Sequence, residues 1–155
     1  MIDKVRESAE VAVMPVQQKD YAQWLPHWLS YQAFYEVQLS EDATAAAWQR
    51  FFDADSPIFC AVAREGETVI GFAHYLFHPS TWAVSEYCYL EDLFVAPHCR
   101  GRETGKQLIE YVQQQARARQ CDRLYWHTQE KNATAQRLYD RVAEKPGVIQ
   151  YRMPL

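Results

Sequence analysis

Short apolar runs alternate with amphipathic stretches along this chain. Six runs have the length and composition of β-strands: 11–16, 57–64, 69–77, 87–95, 124–128 and 148–153. Apolar residues recur at helical spacing in four further stretches: 19–37, 43–52, 102–119 and 133–142. The element order is β-αα-βββ-α-β-α-β, which predicts an α/β fold, a mixed sheet with helices on both faces.

Turn and capping residues support these boundaries. Ser40 followed by Glu41 and Asp42 is typical of a helix start, because a hydroxyl caps free N–H groups and acids favour the positive end of the dipole. The sequence Glu-Gly-Glu at 65–67 predicts a tight hairpin between two strands. Pro26 is unfavourable inside the first helical stretch and can divide it into two turns.

Length and composition indicate one domain, residues 1–155. Hydrophobic residues make up 48% and aromatic residues 14% of 155 positions, enough to enclose a single core. No apolar run approaches the roughly 20 residues that a membrane helix needs. Residues 1–7 mix both charge signs, unlike a secretory signal. We therefore expect a cytoplasmic protein without a membrane partner.

The charge is unevenly distributed along the chain. A formal net charge of -4 argues against a nucleic-acid partner. Residues 1–99 carry five Lys and Arg against 14 Asp and Glu, whereas residues 100–155 carry eleven against six. This asymmetry suggests an anionic ligand on the carboxy-terminal part and a cationic one facing the amino-terminal part. The alternative is that the two halves of the sequence do not form separate faces of the surface.

The cysteines and histidines do not form a metal-binding pattern. The four cysteines contain no Cys-x-x-Cys pair and are expected to be reduced, small apolar residues: Cys60, Cys88, Cys99 and Cys121. His74 and His78 are four apart on a predicted strand, but no third ligand accompanies them. We predict no metal.

A predicted strand–helix–strand unit spans residues 87–128. Ligands of such units bind beyond the carboxyl end of the strand, where the next helix begins. Free N–H groups, glycines and basic side chains there favour a phosphate group. The residues of this segment are Arg100, Gly101, Arg102, Glu103, Thr104, Gly105 and Lys106. The alternative is that its glycines only turn the chain.

Two separated motifs resemble one family. The segment 89–101, Tyr-Leu-Glu-Asp-Leu-Phe-Val-Ala-Pro-His-Cys-Arg-Gly, resembles the central motif of the GNAT N-acetyltransferases, and 128–140 resembles their second motif. Among them, the chain looks most like the diamine and polyamine acetyltransferases and the small histone/polyamine acetyltransferases. The resemblance implies a GNAT-like sheet and acetyl-coenzyme A as co-substrate. It also implies that the backbone of Leu93, Phe94 and Val95 pairs with the pantetheine arm, that the loop 100–106 holds the pyrophosphate, and that Asn132 and Ala135 contact the coenzyme.

The phosphate loop departs from the family pattern at Glu103. The family usually has glycine there, and an aliphatic residue where this chain has Thr104. A carboxylate repels the pyrophosphate, and a Cβ limits close approach of the backbone. We expect weakened coenzyme binding, with Glu103 turned outward toward Arg102, Lys106 or another basic side chain.

Acetyl transfer to an amine needs a base and an acid. A primary amine with a pKa near 10.4 is cationic at neutral pH, so it must lose a proton before it attacks a thioester. Glu91 alternates in phase with Tyr87, Tyr89, Leu93 and Val95, which predicts a carboxylate on an apolar face with a raised pKa. The resemblance implies this residue as the base and Tyr139 as the acid. The alternatives are a structural ion pair for Glu91 and core packing for Tyr139, and Asp92 is expected to face the other way in a structural role.

The acceptor is expected to be a small molecule with a primary amine. The resemblance places it against the first two helices, where we select Trp28, Tyr35 and Glu36, with Trp126 on the acceptor side. Aromatic rings with an acid suit a polyamine-like cation or a lysine side chain, and amino-acid amines are the nearest alternative. The same aromatic residues can equally belong to the core. A non-catalytic coenzyme A-binding regulatory module is the alternative function.

The last predicted strand leaves little room for a closing hairpin after residue 151. A second copy of the chain can complete the edge of the sheet instead. We therefore expect a homodimer.

Overall fold

Five strands form one mixed sheet in the computed structural model, which describes residues 10–100 and 102–155. The strands are β1 (Val11–Pro15), β2 (Ile58–Glu65), β3 (Thr68–Pro79), β4 (Glu86–Val95) and β5 (Arg123–Tyr125). They lie in the order β1-β2-β3-β4-β5, with antiparallel pairing as far as β4 and parallel pairing between β4 and β5. The predicted α/β class and mixed sheet are confirmed.

Four helices accompany the sheet. They are α1 (Tyr21–Phe34), α2 (Glu41–Arg50), α3 (Thr104–Ala118) and α4 (Ala133–Val142), with short 3₁₀ turns at Gln18–Asp20 and Pro97–Cys99. The hydroxyl of Ser40 caps α2 by accepting from the N–H of Ala43 at 3.1 Å, as predicted. Helix α1 runs on through Pro26 and is not divided there.

The core lies on both sides of the sheet. On one side, Trp24 and Trp28 of α1 pack against Phe72 and His74 of β3. On the other side, α3 contributes its predicted apolar stripe, and all four of its residues are buried: Leu108, Ile109, Val112 and Ala116. Fixing α3 against β3 and β4 places its amino terminus at the carboxyl end of β4, where the sequence predicts a ligand site.

A buried ion pair joins the start of α1 to β2. Asp20 is 1% exposed and pairs with the guanidinium of Arg64, which is also buried. The same carboxylate oxygen accepts from the N–H of Gln17 at 2.7 Å. Because both side chains are buried, removing either one would leave the charge of the other without water or a partner to stabilise it.

The predicted last strand is not formed. Residues 148–153 have no regular structure, and their large apolar side chains are 76–89% exposed: Val148, Ile149, Tyr151 and Met153. Strand β5 is also shorter than predicted and pairs with β4 over only three residues. A strand forms only where a neighbour accepts its hydrogen bonds, and so short a β5 gives residues 148–153 little edge to pair with.

The described residues contain no helix that is long and apolar enough to cross a membrane. All four cysteines are free thiols, and three of them are buried: Cys60, Cys88 and Cys99.

Candidate active site

An opening separates the carboxyl ends of β4 and β5. The two strands pair from Tyr87 to Tyr89 of β4, opposite residues 123–125. Strand β4 then continues to Val95, and no described strand pairs with its outer edge beyond Tyr89. That edge carries unpaired backbone groups, which an extended ligand can join as another strand does. Leu93, Phe94 and Val95 lie along it.

A β-bulge interrupts β4 at Glu91. His74 of β3 pairs with Asp92, whereas the next residue, Tyr75, pairs with Leu90, so Glu91 is the extra residue. Glu91 as a whole is exposed, but its carboxyl group is partly desolvated. This desolvation raises the pKa of Glu91, the neighbouring Asp92 carboxylate raises it further, and His74 acts in the opposite direction.

The bulge corrects the predicted phase of β4. Before the bulge, Tyr87 and Tyr89 lie on the face of the sheet that carries His74. After the bulge, Val95 pairs with Gly71 and lies on the opposite face, toward α3. The expectation that Glu91 alternates in phase with all of them is wrong, because the extra residue reverses the alternation.

Asp92 points into the layer beneath α1. Its Oδ2 accepts from Nδ1 of His74 at 2.9 Å, and the phenol of Tyr31 lies close enough to be affected by the Asp92 charge. Burial raises the pKa of Tyr31 far above its usual value, and the Asp92 charge adds to this, so the phenol remains a donor. Sequence reasoning missed Tyr31 and His74 as partners. The sequence does show a histidine, His74, and an acid, Asp92, in two otherwise apolar strands. Their contact becomes evident only from the register in which β3 and β4 pair.

Tyr139 projects from α4 toward the same region. Its ring packs edge-on against Trp126, with centroids 5.5 Å apart. Burial raises the pKa of Tyr139 to about 12, and Tyr35 of α1 adds to the effect. The phenol therefore carries its proton at neutral pH and can donate it. Trp126 therefore packs against the ring of Tyr139. This contact does not test the expectation that Trp126 lines the acceptor side.

The amino terminus of α3 is suited to an anion. The first intrahelical bond runs from the N–H of Gln107 to the carbonyl of Glu103 at 3.0 Å, so the N–H groups of Thr104, Gly105 and Lys106 have no acceptor within the helix. Gly105 packs closely: a Cβ there would lie 3.2 Å from Cδ2 of Leu138. Gly101 lies outside the described residues.

Glu103 occupies a left-handed conformation. Its φ is 63°, a region that glycine adopts freely and other residues adopt at a cost of about 1 kcal/mol. The carboxylate turns outward to Arg141 of α4, with 3.4 Å between Oε1 and Nη2. The outward orientation agrees with the prediction, although the partner differs from Arg102 and Lys106.

The basic side chains of the loop are at the surface. Arg100 Nε donates to the carbonyl of Val95 at 3.2 Å, and Arg102 pairs with Glu65 at 2.8 Å. Lys106 lies 3.9 Å from Glu110. The Lys106–Glu110 contact is exposed and holds the lysine weakly, so this cation remains able to meet an anionic ligand.

Asn132 caps α4. Its Oδ1 accepts from the N–H of Ala135 at 3.2 Å, which leaves the amide NH₂ group for another partner. Both residues were predicted to contact the coenzyme, and the cap contact gives them a structural role as well.

A cavity of about 350 Å³ lies between the end of α1 and the start of α4. It brings together two of the predicted acceptor residues and one predicted coenzyme residue, Tyr35, Glu36 and Asn132. Trp28 is not there: it is 7% exposed and stacks on Tyr31 in the core, with centroids 5.5 Å apart. Its burial argues against a place in the acceptor wall, because little of its surface is free for contact.

The model of the Acetyltransferase (GNAT) family matches residues 21–143. This chain belongs to the GNAT family. It is 34% identical to the D-amino-acid N-acetyltransferase HPA3 of Saccharomyces cerevisiae over 144 residues, 92% of this chain and 89% of that protein. It is 32% identical to the thialysine N-epsilon-acetyltransferase of Mus musculus over 132 residues, 76% of this chain and 75% of the relative.

Solved structures share the GNAT fold. The aminoglycoside N-acetyltransferase AAC(6')-Iy in complex with CoA superposes with a TM-score of 0.81 at 22% identity, covering 97% of this chain and 99% of that one. A complex of the same protein with a bisubstrate analogue gives a TM-score of 0.80, covering 94% and 99%. The resemblance seen in the two motifs is thus confirmed, and the protein is an N-acetyltransferase of the GNAT type.

Proposed function

We propose that this N-acetyltransferase moves an acetyl group from acetyl-coenzyme A to the primary amine of a small acceptor by direct attack, with Glu91 as the base and Tyr139 as the acid. The observation that carries the proposal is the opening beside β4. A carboxyl group with a raised pKa lies on that strand, and a phenol that keeps its proton belongs to the helix that follows β5.

The residues around the opening fit the coenzyme. When bound, acetyl-coenzyme A supplies an activated acetyl group and a thiolate as leaving group. We assign the free edge of β4 at Leu93–Val95 to the extended pantetheine arm, and a backbone N–H near Val95 to the developing oxyanion. The amino terminus of α3 with Arg100, Arg102 and Lys106 suits the pyrophosphate. The bound CoA and bisubstrate analogue in structures of the same fold support this assignment.

Glu91 prepares the acceptor. An acceptor ammonium transfers one proton from its nitrogen to the Glu91 carboxylate, directly or through a water molecule, and becomes a neutral amine with a free lone pair. Because the pKa of Glu91 is raised, the difference between it and the amine pKa near 10.4 is smaller, and proton transfer from the ammonium to Glu91 is more favourable.

Tyr139 completes the exchange of protons. The neutral amine bonds to the thioester carbon, the bond from that carbon to sulfur breaks, and the Tyr139 Oη–H donates its proton to the leaving sulfur. The newly bonded nitrogen gives up its second proton, which returns to the Tyr139 oxygen through solvent, and Glu91 releases the first proton to solvent. The neighbours of Tyr139, Tyr35 and Trp126, restrict its ring, which keeps the hydroxyl in one orientation.

The cavity between α1 and α4 is our candidate for the acceptor. Tyr35 provides an aromatic wall and Glu36 a negative charge for an ammonium group. The names of the relatives support acceptors of this size, since one acts on D-amino acids and another on thialysine.

A thiol-release assay with acetyl-coenzyme A tests the proposal. We expect turnover on at least one amine, a loss of about 100-fold or more in kcat for Glu91→Gln and Tyr139→Phe, and unchanged coenzyme affinity in calorimetry. Tyr111→Phe is the matched control, because Tyr111 is a partly buried tyrosine of α3, which the proposed mechanism does not use. Coenzyme binding without turnover on any amine would instead support a regulatory module.

The acceptor panel pairs each amino acid with its decarboxylated amine, such as lysine with 1,5-diaminopentane. A polyamine-like acceptor predicts higher kcat/KM for the diamine of each pair. The reverse preference assigns the enzyme to amino-acid amines. Glu36→Gln should raise KM for the preferred acceptor and leave coenzyme binding unchanged.

We further propose a homodimer in which residues 148–153 of one copy pack on the sheet edge of the other. Four large apolar side chains of this segment are exposed, more than a folded chain usually leaves in water. Sedimentation velocity should find a dimer, and Ile149→Asp should shift it to monomer. Trp82→Asp, which changes an equally exposed residue of another loop, should not. A monomeric native protein would contradict the proposal.

We also infer a reducing, cytoplasmic setting, because all four cysteines are free and three of them are buried. Fractionation of the native cells with an antibody to this chain tests the inference.

A further inference from the structure

A chain of polar groups runs through the core beneath α1. The indole N–H of Trp24 donates to Nε2 of His74 at 3.0 Å, and Nδ1 of His74 contacts Oδ2 of Asp92 at 2.9 Å. The phenol of Tyr31, on α1, also lies near this carboxylate. Trp24 is fully buried and His74 is 4% exposed, so this network is shielded from water.

The hydrogen positions in this network follow from the donors. An indole N–H can only donate, so Nε2 of His74 is an acceptor and the ring hydrogen lies on Nδ1. That hydrogen points to Asp92, which therefore accepts from His74 of β3 and lies near the phenol of Tyr31 of α1. The hydrogen bond from His74 clamps the Asp92 carboxylate in one position.

The bulge of β4 puts this clamped carboxylate next to Glu91. In a regular strand the two acids would point to opposite faces, but the extra residue brings Glu91 to the position opposite His74 that Asp92 shares. The titratable groups around the pair come from several elements: Tyr89 of β4, His74 of β3, Cys60 of β2 and Tyr31 of α1. Beyond Tyr89 lie His127, bonded to its hydroxyl at 3.1 Å, and Arg152.

We propose that Asp92 is a positioning residue for Glu91: clamped by His74, its fixed negative charge makes Glu91 a stronger base than an isolated glutamate. This inference rests on the proposed role of Glu91. A negative charge beside a carboxylate favours the protonated form of that carboxylate, so Glu91 takes the acceptor proton more readily. The raised pKa of Glu91, to which Asp92 contributes, agrees with this role.

Asp92→Asn tests the charge with little change of shape. The side-chain oxygen of the substituted amide can still accept from His74, and its NH₂ group can meet Tyr31, so the network stays satisfied. We expect the acidic limb of the pH profile of kcat/KM to move down by about one pH unit and kcat at the plateau to fall about threefold, with unchanged coenzyme affinity. Asp122→Asn, which removes an exposed acid at the start of β5, is the control and should change neither value.

The titration of Glu91 gives a readout that does not need activity. Carbon-13 NMR of labelled glutamate carboxyl groups, with the Glu91 signal assigned through Glu91→Gln, should show the same downward shift in Asp92→Asn. An unchanged Glu91 titration overturns the inference, whatever the kinetics. An enzyme in which Glu91→Gln keeps full turnover overturns the proposed base instead, and the NMR result still decides whether Asp92 acts on Glu91.

A pair of His74 variants tests the clamp. Asn and Leu have similar shapes, but only Asn offers an N–H near the Nδ1 position. His74→Asn should keep kcat near the native value, and His74→Leu should lower it about threefold without raising KM for the coenzyme. Equal losses in both variants would mean that His74 only packs, and the clamp would be wrong. His78→Leu, on the same face of β3 but bonded to Tyr125, should leave kcat unchanged.

Discussion

Replacing Glu103 separates two effects that meet at the start of α3. The residue carries a negative charge at the predicted pyrophosphate site and sits at a φ of 63°. Glu103→Gln removes the charge and keeps the strain, because glutamine also has a Cβ. Glu103→Ala does the same with a smaller side chain, and Glu103→Gly removes both charge and strain.

The charge effect is estimated from Coulomb's law. For an assumed separation of about 7 Å between a phosphate charge and the carboxylate, the repulsion in water is about 0.6 kcal/mol per unit charge. Two phosphate charges give about 1.2 kcal/mol, or roughly a sevenfold change in Kd. Glu103 is 53% exposed at its side chain and pairs with Arg141, so salt should reduce the change to about threefold at physiological ionic strength.

Calorimetry at low and at near-physiological salt measures these changes. We expect tighter coenzyme binding by Glu103→Gln and Glu103→Gly to similar extents, with the larger gain at low salt. Glu110→Gln is the control, an exposed acid farther along α3 that faces Lys106. An unchanged Kd in both Glu103 variants would refute the repulsion. Separately, Glu103→Gly should be more stable than Glu103→Ala by about 1 kcal/mol, a rise of roughly 2–4 °C in Tm.

Three further changes test the fold and the site. Gly71→Ala should destabilise the protein by about 3 kcal/mol or more in urea unfolding, because the new Cβ would lie 2.5 Å from the carbonyl oxygen of Phe94. Asp20→Ala should cost about 3–5 kcal/mol in the same measurement, since it leaves Arg64 buried without its partner; a loss below about 1 kcal/mol would contradict the buried pair. The free energy of unfolding of Glu91→Gln, compared with that of the native protein, should increase as pH rises. The folded state holds the Glu91 proton above the unfolded pKa near 4.3, so native stability falls from that pH upward through the raised folded pKa. Thermal melts at pH 4 and 7 that show the same difference would exclude this linkage.

Much of the fold could be predicted because it depends on local pattern. Helix α4 begins and ends where the spacing of apolar residues indicated, and Ser40 caps α2 as its position suggested. The helix after β4 and its apolar stripe were equally evident, which located the end of α3 that we propose for the pyrophosphate. Strand 148–153 was predicted from the same kind of pattern and is absent, because pairing needs a neighbour and its own composition does not supply one.

The candidate site was predictable in its residues more than in its arrangement. Glu91 and the loop around Glu103 were selected from residue types and their place in the chain, and Tyr139 was selected from the resemblance to the family. The bulge was not predictable, because an extra residue in one strand is defined only by the register of the strand beside it. The position of Trp28 was not predictable either. Its helical spacing was compatible with the core or with an acceptor wall, and the packing of α1 against the sheet buries it in the core.

The sequence by itself determined the element order, the family motifs and the chemical groups available, since these follow from spacing and composition along one chain. Only the tertiary structure decided which of those groups meet. Asp92 was expected to be structural and to face away from the chemistry. In the fold, His74 of β3 bonds to its carboxylate and Tyr31 of α1 lies near it. The extra residue in β4 places Asp92 next to Glu91. The distances between such groups depend on strand register and helix packing, and these are set by the burial of the whole core and not by any single segment.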